Sequence, residues 1–588
     1  VLVYGETTRR CDPRERLAGL AALLREAAAR PPGIGRHADL AGALIEAGEI
    51  AQGIADAALE ARGDDAPSPA QDAATELLMD IARAVWASWR SGFAAGPAAF
   101  APALARLAAA PLPDAVTTRW AEGFAFYALY PESYAIAAAR SGLPAATRVV
   151  GIRSIGAPLG AMAAAGLGAG TVVTVRPVGH PFRRTLALGE ALRGRITRDA
   201  PPCVAVADEG PGLSGSSFGA VIDALAGLGI PERRVALLPS HGGPPGPRSD
   251  APARARWARM ARHVAPFEDV VRQDGPGGGL AGWVADLVGP AEGPLVEVSG
   301  GRWRFRQGRD EAAWPPVHAQ QERRKFLLAA GGGTWLLKFA GLGPGARAKA
   351  DIARALSAAG FTPPVAGVRH GFLVERWIAA APPLDLCAVD PDRLAEEVGR
   401  YLGFRARAFP AGPDRGARLA DLLAMARHNV GEALGAGPAR ALDRWSPDRV
   451  EALARRARPI AIDGRMQAWE FLVRPDGRLL KCDALDHHAT HDLVGCQDVA
   501  WDVAGAAVEL DLPEAARARL AATVAREGGC PVDPDLLALL TPCYLAFRLG
   551  AASMAVEAAA DPAEAGRLRG AGARYAERLE RILGPGDG

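Results

Sequence analysis

Between residues 203 and 228 the chain carries the pattern that most narrows its fold. An apolar run, Cys203-Val-Ala-Val-Ala207, stops at two adjacent acids, Asp208 and Glu209. A loop of Gly, Pro and Ser follows, and Gly219–Leu228 then has helical spacing. A strand that is apolar on both faces belongs in a parallel sheet covered by helices on both sides. Three similar runs, at 148–152, 171–175 and 234–238, alternate with Ala- and Leu-rich segments. Together they predict a parallel-sheet α/β domain over 116–245.

The strand end and its loop also imply chemistry. Backbone N–H groups and hydroxyls at a helix N-terminus suit a phosphate. Two adjacent carboxylates at the carboxyl end of a strand, where open α/β sheets bind ligands, can accept hydrogen bonds from vicinal hydroxyls. The combination suits a phosphorylated ribose. It resembles the signature of the type I phosphoribosyltransferases: apolar strand, two acids, then a Thr-Gly-x-Thr-like loop, here Ser214, Gly215, Ser216 and Ser217. The loop is one residue longer than usual at 210–212, and Ser stands in place of Thr.

The resemblance implies that Asp208 and Glu209 are catalytic and hold the ribose hydroxyls. Gly212, Ser214, Gly215, Ser216 and Ser217 would hold the 5′-phosphate. Gly151, Arg153 and Ser154 would form a diphosphate loop, and Arg176, Arg183 and Arg184 the basic start of a mobile hood. The donor would be phosphoribosyl pyrophosphate with Mg2+ on its oxygens, and the acceptor a small molecule that cannot be read from the residues. Transfer would pass through an oxocarbenium-like state at ribose C1. The plainer alternative is a solvated acidic strand end, or a domain that senses a phosphoribosyl metabolite without reacting it.

The second signal is a scarcity. Of 68 Lys plus Arg, only Lys325, Lys338, Lys349 and Lys481 are Lys, as in GC-rich coding. Arg and Lys differ in hydration, geometry and pKa, so each surviving Lys invites a chemical question. Lys338 lies in an apolar strand, Thr334–Phe339, after a Gly331–Gly333 turn, and Glu375 lies in a second strand at 371–375. Further on come Asp463, Arg465, Glu470 and Asp483, then Asp498 and Asp502.

This order resembles the aminoglycoside phosphotransferase and protein-kinase-like fold. The resemblance implies nucleotide contact at Lys338 and Glu375, Mg2+ held by Glu470 and Asp483, and ATP as a cofactor. Arg465 stands where that family places an Asp base, Glu470 where it places an Asn, and Asp463 could act as an unusual base. The helix at 346–359 has no Glu for Lys338. A degenerate kinase-like module and an active small-molecule kinase are both open readings.

The resulting architecture is multidomain α/β and α+β. A helical N-terminal region (1–115) precedes the phosphoribosyltransferase-like domain (116–245). A Gly-, Pro- and Arg-rich linker (246–295) leads to a kinase-like N-lobe (296–380), with strand-like Trp303–Phe305, and a helical C-lobe (381–588). The main expectation is a Mg-dependent phosphoribosyltransferase with an attached kinase-like domain. The alternative is a metabolite sensor with a pseudokinase, or kinase activity in the second half.

In 588 residues, 49% are hydrophobic and 23% charged, which excludes a mainly disordered chain. A net charge of +2 gives no case for nucleic acid or an anionic membrane. Seven scattered Cys without CxxC spacing, and no evident signal peptide, fit a bacterial-type cytoplasmic protein. Residues 154–175 are uncharged but broken by Pro158 and glycines, and read as loop, helix and strand. Tyr127, Tyr130, Glu132 and Tyr134 suit either a base-stacking surface or core packing. His487, His488 and His491 match no standard zinc spacing.

Overall fold

The computed structural model describes residues 8–96, 99–246, 248–308, 310–412, 415–490 and 494–584. It is a mixed α/β, multidomain structure.

The N-terminal region is closed by a two-stranded ribbon. Strand Thr8–Cys11 pairs antiparallel with Val116–Arg119, and four helices lie between them in sequence: Pro13–Ala29, Ile34–Arg62, Pro69–Arg90 and Ala101–Ala109. Their starts have a local cause. The Asp12 and Ser68 side chains accept hydrogen bonds from the N–H groups of Arg14 and Gln71, and Pro follows each cap. Helix Ile34–Arg62 is buried along most of its length and forms the centre of this region.

The four apolar runs become Arg148–Ile152, Val172–Val175, Val204–Ala207 and Val235–Leu238 in one sheet. A fifth strand, Ala261–Arg262, completes it, and every pairing is parallel. Successive side chains alternate between faces. Val149, Val172, Ala205, Ala207 and Leu238 join a core that includes helix Gly156–Leu167. Val150, Val173, Val204, Val206 and Leu237 join another with Phe218, Val221 and Trp257. Two covered faces explain why the runs are apolar throughout.

The stretch 246–295, expected as a linker, is folded. Short helices Ala251–Arg259, Phe267–Val271, Gly279–Trp283 and Ala285–Val288 occupy it. The last three, with Val284 at the junction of the final two, bury Val270, Leu280, Trp283, Val284 and Val288 in the core of the N-terminal region. Each helix is too short to show periodicity against the surrounding Gly, Pro and Arg.

The small lobe is an antiparallel sheet in the order Val296–Glu297, Lys325–Ala330, Gly333–Phe339, Phe372–Arg376, Val365–Arg369. Helix Pro344–Ala358 crosses between two of its strands. Trp303–Phe305, expected as strand, lies in a 3-10 turn, Arg302–Arg306. Arg304 fixes that turn by donating to the carbonyls of Gly301 and Pro315. Phe326, Leu328, Leu337, Phe339, Phe372 and Val374 share one continuous core with the N-terminal helices and one face of the parallel sheet. The first three modules are therefore fused rather than strung together.

The remaining lobe is helical, with a hairpin of Phe471–Val473 and Leu479–Lys481. Among the described residues one helix, Pro534–Ala558, is long and apolar enough to cross a membrane, and 67% of its apolar window is buried inside the protein. Residues 154–175 form the end of a loop, helix Gly156–Leu167 and strand Val172–Val175.

Candidate functional site

Two clusters of acids stand at strand ends. The first lies between the small and helical lobes. Lys338, on the central strand Gly333–Phe339, is buried and ion-paired with Asp483, two residues past hairpin strand Leu479–Lys481. Burial works against the Lys338 charge, yet Asp483 and Asp486 hold its pKa above the ordinary lysine value. Burial likewise opposes the Asp483 charge, and Lys338 with His487 holds the carboxyl well below the usual range.

The other three lysines are here too. Lys349, on helix Pro344–Ala358, donates to Ala340 O at 2.7 Å and lies 3.4 Å from Asp486. Burial, with Arg323 and Lys338 nearby, brings it down to about 8. Lys481 meets the Asp483 carbonyl and lies 3.4 Å from Glu470 and 3.6 Å from Asp463. Lys325 sits directly across the sheet from Lys338 and bonds Glu322 at 2.8 Å. Its charge also helps keep Asp483 ionised. All four lysines of the chain thus surround one carboxylate cluster.

The loop 461–465 is held from beneath. Asp502 accepts from the N–H groups of Asp463 at 2.7 Å and Gly464 at 2.8 Å. Arg405 is fully buried and donates to the carbonyls of Ala461, Ile462 and Ala484. Tyr401 donates to the Asp463 carboxylate at 2.5 Å. Burial opposes the Asp463 charge, and Lys481, His487 and Arg405 hold it well below the ordinary range. Asp463 is completely buried. It therefore anchors the loop and is not presented as an acceptor for a substrate proton, while Arg465 stands two residues on.

Glu375 is buried facing this cluster, and burial raises its carboxyl to about 7. Burial pushes the Cys482 thiol up to about 12 and holds His488 down to about 3, so both are neutral at pH 7. Asp483, Asp486 and His487 place ligand-capable atoms within 4.8 Å of one another. His491 lies outside the described residues.

The second cluster ends strand Val204–Ala207. The Asp208 carboxylate accepts from the Glu209 N–H at 2.9 Å, and Tyr134 donates to the Asp208 carbonyl at 2.7 Å. Burial raises the Asp208 carboxyl to about 7, against the Glu209 N–H and the charges of Arg176 and Arg184. Burial, then repulsion from Asp208 and Glu122, raises Glu209 to about 8.

Gly215, at φ +74°, turns the loop into helix Ser216–Gly227. Ser216 donates to the Pro181 carbonyl at 2.6 Å, and Ser214 lies 3.2 Å from the same oxygen. Pro181 is the tip of the hairpin Pro177–His180/Arg183–Leu186, which therefore rests on the serine loop. Gly212 and Ser217 flank these serines in the loop and first helical turn. Arg183 is exposed on the hairpin, and Arg184 donates to Pro177 O at 3.4 Å. At Gly151 a Cβ would lie 2.1 Å from the Gly156 carbonyl, so only glycine allows the loop bearing Ser154 to fold back there.

Arg153, expected to hold a diphosphate, and Arg176, expected at the start of a hood loop, turn into an internal cluster instead. Arg153 lies 2.6 Å from Asp65 and 3.1 Å from Asp56, with its side chain 1% exposed. Arg176 pairs with Asp56 and donates to the Arg153 carbonyl at 2.5 Å. Both acids come from the N-terminal region, whose sequence shows no constellation of its own. Tyr130, Glu132 and Tyr134 are buried in the core, whereas Tyr127 is 40% exposed.

Sequence reading named Asp502 without a role and missed Tyr401, Arg405, Asp56 and Asp65. Only the lysine scarcity pointed toward Lys325, Lys349 and Lys481.

No family model matches the chain, and no curated protein matches it. Among solved structures it is similar to choline kinase LicA from Streptococcus pneumoniae, at 13% identity and TM-score 0.30 over 44% of this chain and 89% of that one. A spectinomycin phosphotransferase in complex with ADP and spectinomycin is similar at 10% identity and TM-score 0.32, over 44% and 88%. Macrolide 2′-phosphotransferase MphH from Brachybacterium faecium is similar at 17% identity and TM-score 0.28, over 46% and 95%. Likenesses of this size concern fold over part of the chain and carry no chemistry.

Proposed function

We propose that residues 296–580 form a magnesium–nucleotide-binding module of small-molecule phosphotransferase type. The observation that carries this reading is the convergence of all four lysines on the Asp483 cluster. In a chain that uses Arg nearly everywhere, compact ammonium groups are kept where a phosphate would need point charges in a narrow cleft. Lys338 would meet the nucleotide phosphates, with buried Glu375 beside it. Asp483 and Glu470 supply the hard carboxylate oxygens that Mg2+ prefers. When bound, the ion would offset charge on the phosphates.

Phosphoryl transfer depends mainly on positioning and charge stabilisation. Arg465 in place of an acid therefore weakens the site for catalysis without removing its use for binding. The test is titration with a fluorescent ATP analogue, with and without Mg2+. Saturable binding should weaken about tenfold or more in Lys338→Met. It should lose its Mg2+ dependence in Asp483→Asn. No saturable binding to the wild type would overturn the reading.

A second reading rests on a different observation: an uncompensated acid pair beside a serine loop at a helix N-terminus. We propose that Asp208 and Glu209 take the hydroxyls of a phosphoribosyl donor and that Ser214–Ser217 take its phosphate. With Arg153 and Arg176 engaged by Asp56 and Asp65, the diphosphate would fall to backbone N–H groups of 151–154 and to Arg183 and Arg184. Calorimetric titration of phosphoribosyl pyrophosphate with Mg2+ tests this. Binding should be lost in Asp208→Asn/Glu209→Gln, and unchanged affinity would sink it.

A further inference from the structure

A third constellation lies away from both acid clusters, where the small lobe enters the core of the N-terminal region. His37 comes from helix Ile34–Arg62, Glu132 from the first turn of helix Pro131–Arg140, and His370 from the turn between strands Val365–Arg369 and Phe372–Arg376. All three side chains have zero exposure. His37 Nε2 lies 2.8 Å and His370 Nε2 3.2 Å from the same oxygen, Glu132 Oε1. One ligand-capable atom from each falls within 4.8 Å of the others.

The surroundings are apolar. The ring of His37 packs against Trp89 and Phe93, and that of His370 against Tyr130 and Trp283. The backbone at His370 is held by Tyr130, whose hydroxyl donates to the His370 carbonyl at 2.7 Å. Yet Glu132 Oε2 and His370 Nδ1 have no hydrogen-bond partner among the described residues. Each unpartnered polar atom in such a place is costly. A buried carboxyl group facing two buried imidazoles, with polar atoms left over on both sides, is incomplete without a further partner at its centre.

A proton on one imidazole would complete an ion pair but leave Glu132 Oε2 and His370 Nδ1 without partners. A divalent ion takes the Nε2 lone pairs of both rings and can take both oxygens of Glu132. His37 Nδ1 lies 3.1 Å from Ser88 Oγ. The Ser88 oxygen can accept a proton carried on Nδ1, which leaves the Nε2 lone pair toward Glu132, as second partners of metal-bound histidines do. Two imidazoles and a carboxylate are a donor set for zinc-type transition ions rather than for Mg2+ or Ca2+. We propose that His37, Glu132 and His370 bind one divalent zinc-type ion through both Nε2 atoms and the Glu132 carboxylate, joining the small lobe to the N-terminal helices. The aromatic walls mark it as a structural site, loaded as the chain folds.

The test uses the full chain, produced in zinc-supplemented medium and freed of loose metal by gel filtration. Elemental analysis should find about one zinc per chain. Content should fall to below about a tenth in His37→Ala, His370→Ala and Glu132→Gln, and should persist in Asp483→Asn. Cobalt(II) loaded in place of zinc should give visible bands of a nitrogen–oxygen site. Thiolate charge-transfer bands would assign the metal to cysteines and overturn the proposal. Should the variants fail to fold, the wild type still decides: a strong chelator should lower its melting temperature, and added zinc should restore it. A wild type without retained metal, a melting temperature indifferent to chelator, or equal zinc in His37→Ala would each overturn it.

Discussion

The two acid clusters use the same residue types to opposite electrostatic ends. In the first cluster Asp463, Asp483 and Asp486 are matched by internal ammonium and guanidinium groups and their pKa values are driven down, while burial raises Glu375 and Asp502 behind them. At Asp208 and Glu209 burial wins, and the carboxyls rise to about 7 and 8. A self-neutralised site holds its shape without ligand, and any ligand must compete with its lysines. An uncompensated site is strained when ionised and gains from hydroxyl donors or a cation. The difference is measurable as stability, because the first cluster stabilises the folded chain when charged and the second destabilises it.

The largest effect should come from breaking the first cluster. Lys338→Ala leaves the mostly buried Asp483 carboxylate without its ion-pair partner, a change that costs about 3–5 kcal/mol. Adding Asp483→Asn should recover part of that loss, since the stranded charge is then gone. Urea unfolding of the two single variants and the double variant gives the coupling directly. A Lys338→Ala cost no larger than that of an exposed lysine would refute the internal pairing.

The pH dependence separates the clusters next. Asp208 and Glu209 have raised folded pKa values, so between about pH 4 and 8 the folded chain keeps protons that the unfolded chain has released. Their contribution to stability therefore falls as pH rises through that window. Asp463 and Asp483 have lowered values, so their contribution is present above about pH 4 and is lost only in acid below it. Relative to wild type, Asp208→Asn/Glu209→Gln should gain stability from pH 5 to 8.5, on the order of 2–4 kcal/mol. Melting curves across that range check it; parallel curves would show that the pair is compensated after all.

A smaller change should follow from the support beneath the first cluster. Asp502→Ala leaves the N–H groups of Asp463 and Gly464 unpaired, at a cost of about 1–3 kcal/mol. Because it moves loop 461–465 and not Lys338, it should weaken Mg2+ dependence of nucleotide binding more than binding itself. Nucleotide titrations at two Mg2+ concentrations read this, and an unaltered Mg2+ response would place the loop outside the site.

What could be read from sequence follows the range of each interaction. The four parallel strands were legible because Val149 and Val150, or Ala205 and Val206, are apolar on adjacent positions, a local sign of two covered faces. Lys338 was legible through rarity. The pairing of Asp56 and Asp65 with Arg153 and Arg176 was not, because about 90–120 residues separate the partners and nothing local marks them. Arg405, and the role of Asp502 beneath loop 461–465, were hidden for the same reason. Residues 246–295 were misread because loop-like composition masked five core side chains on helices of a few residues each. Fusion of the modules followed from those side chains, so it too was invisible.

The finest test of the comparison lies in the hairpin over the second cluster. Ser216 donates to the Pro181 carbonyl. Ser216→Ala removes that bond for about 0.5–1.5 kcal/mol. The hairpin should then open more often, and trypsin should cut after Arg183 or Arg184 severalfold faster, with the melting temperature nearly unchanged. In the wild type, a ligand phosphate that takes the Ser216 hydroxyl should have the same effect on the Pro181 contact. If Ser216→Ala leaves cleavage unchanged, the hairpin is held by other contacts, and closure over the acid pair owes nothing to the serine loop.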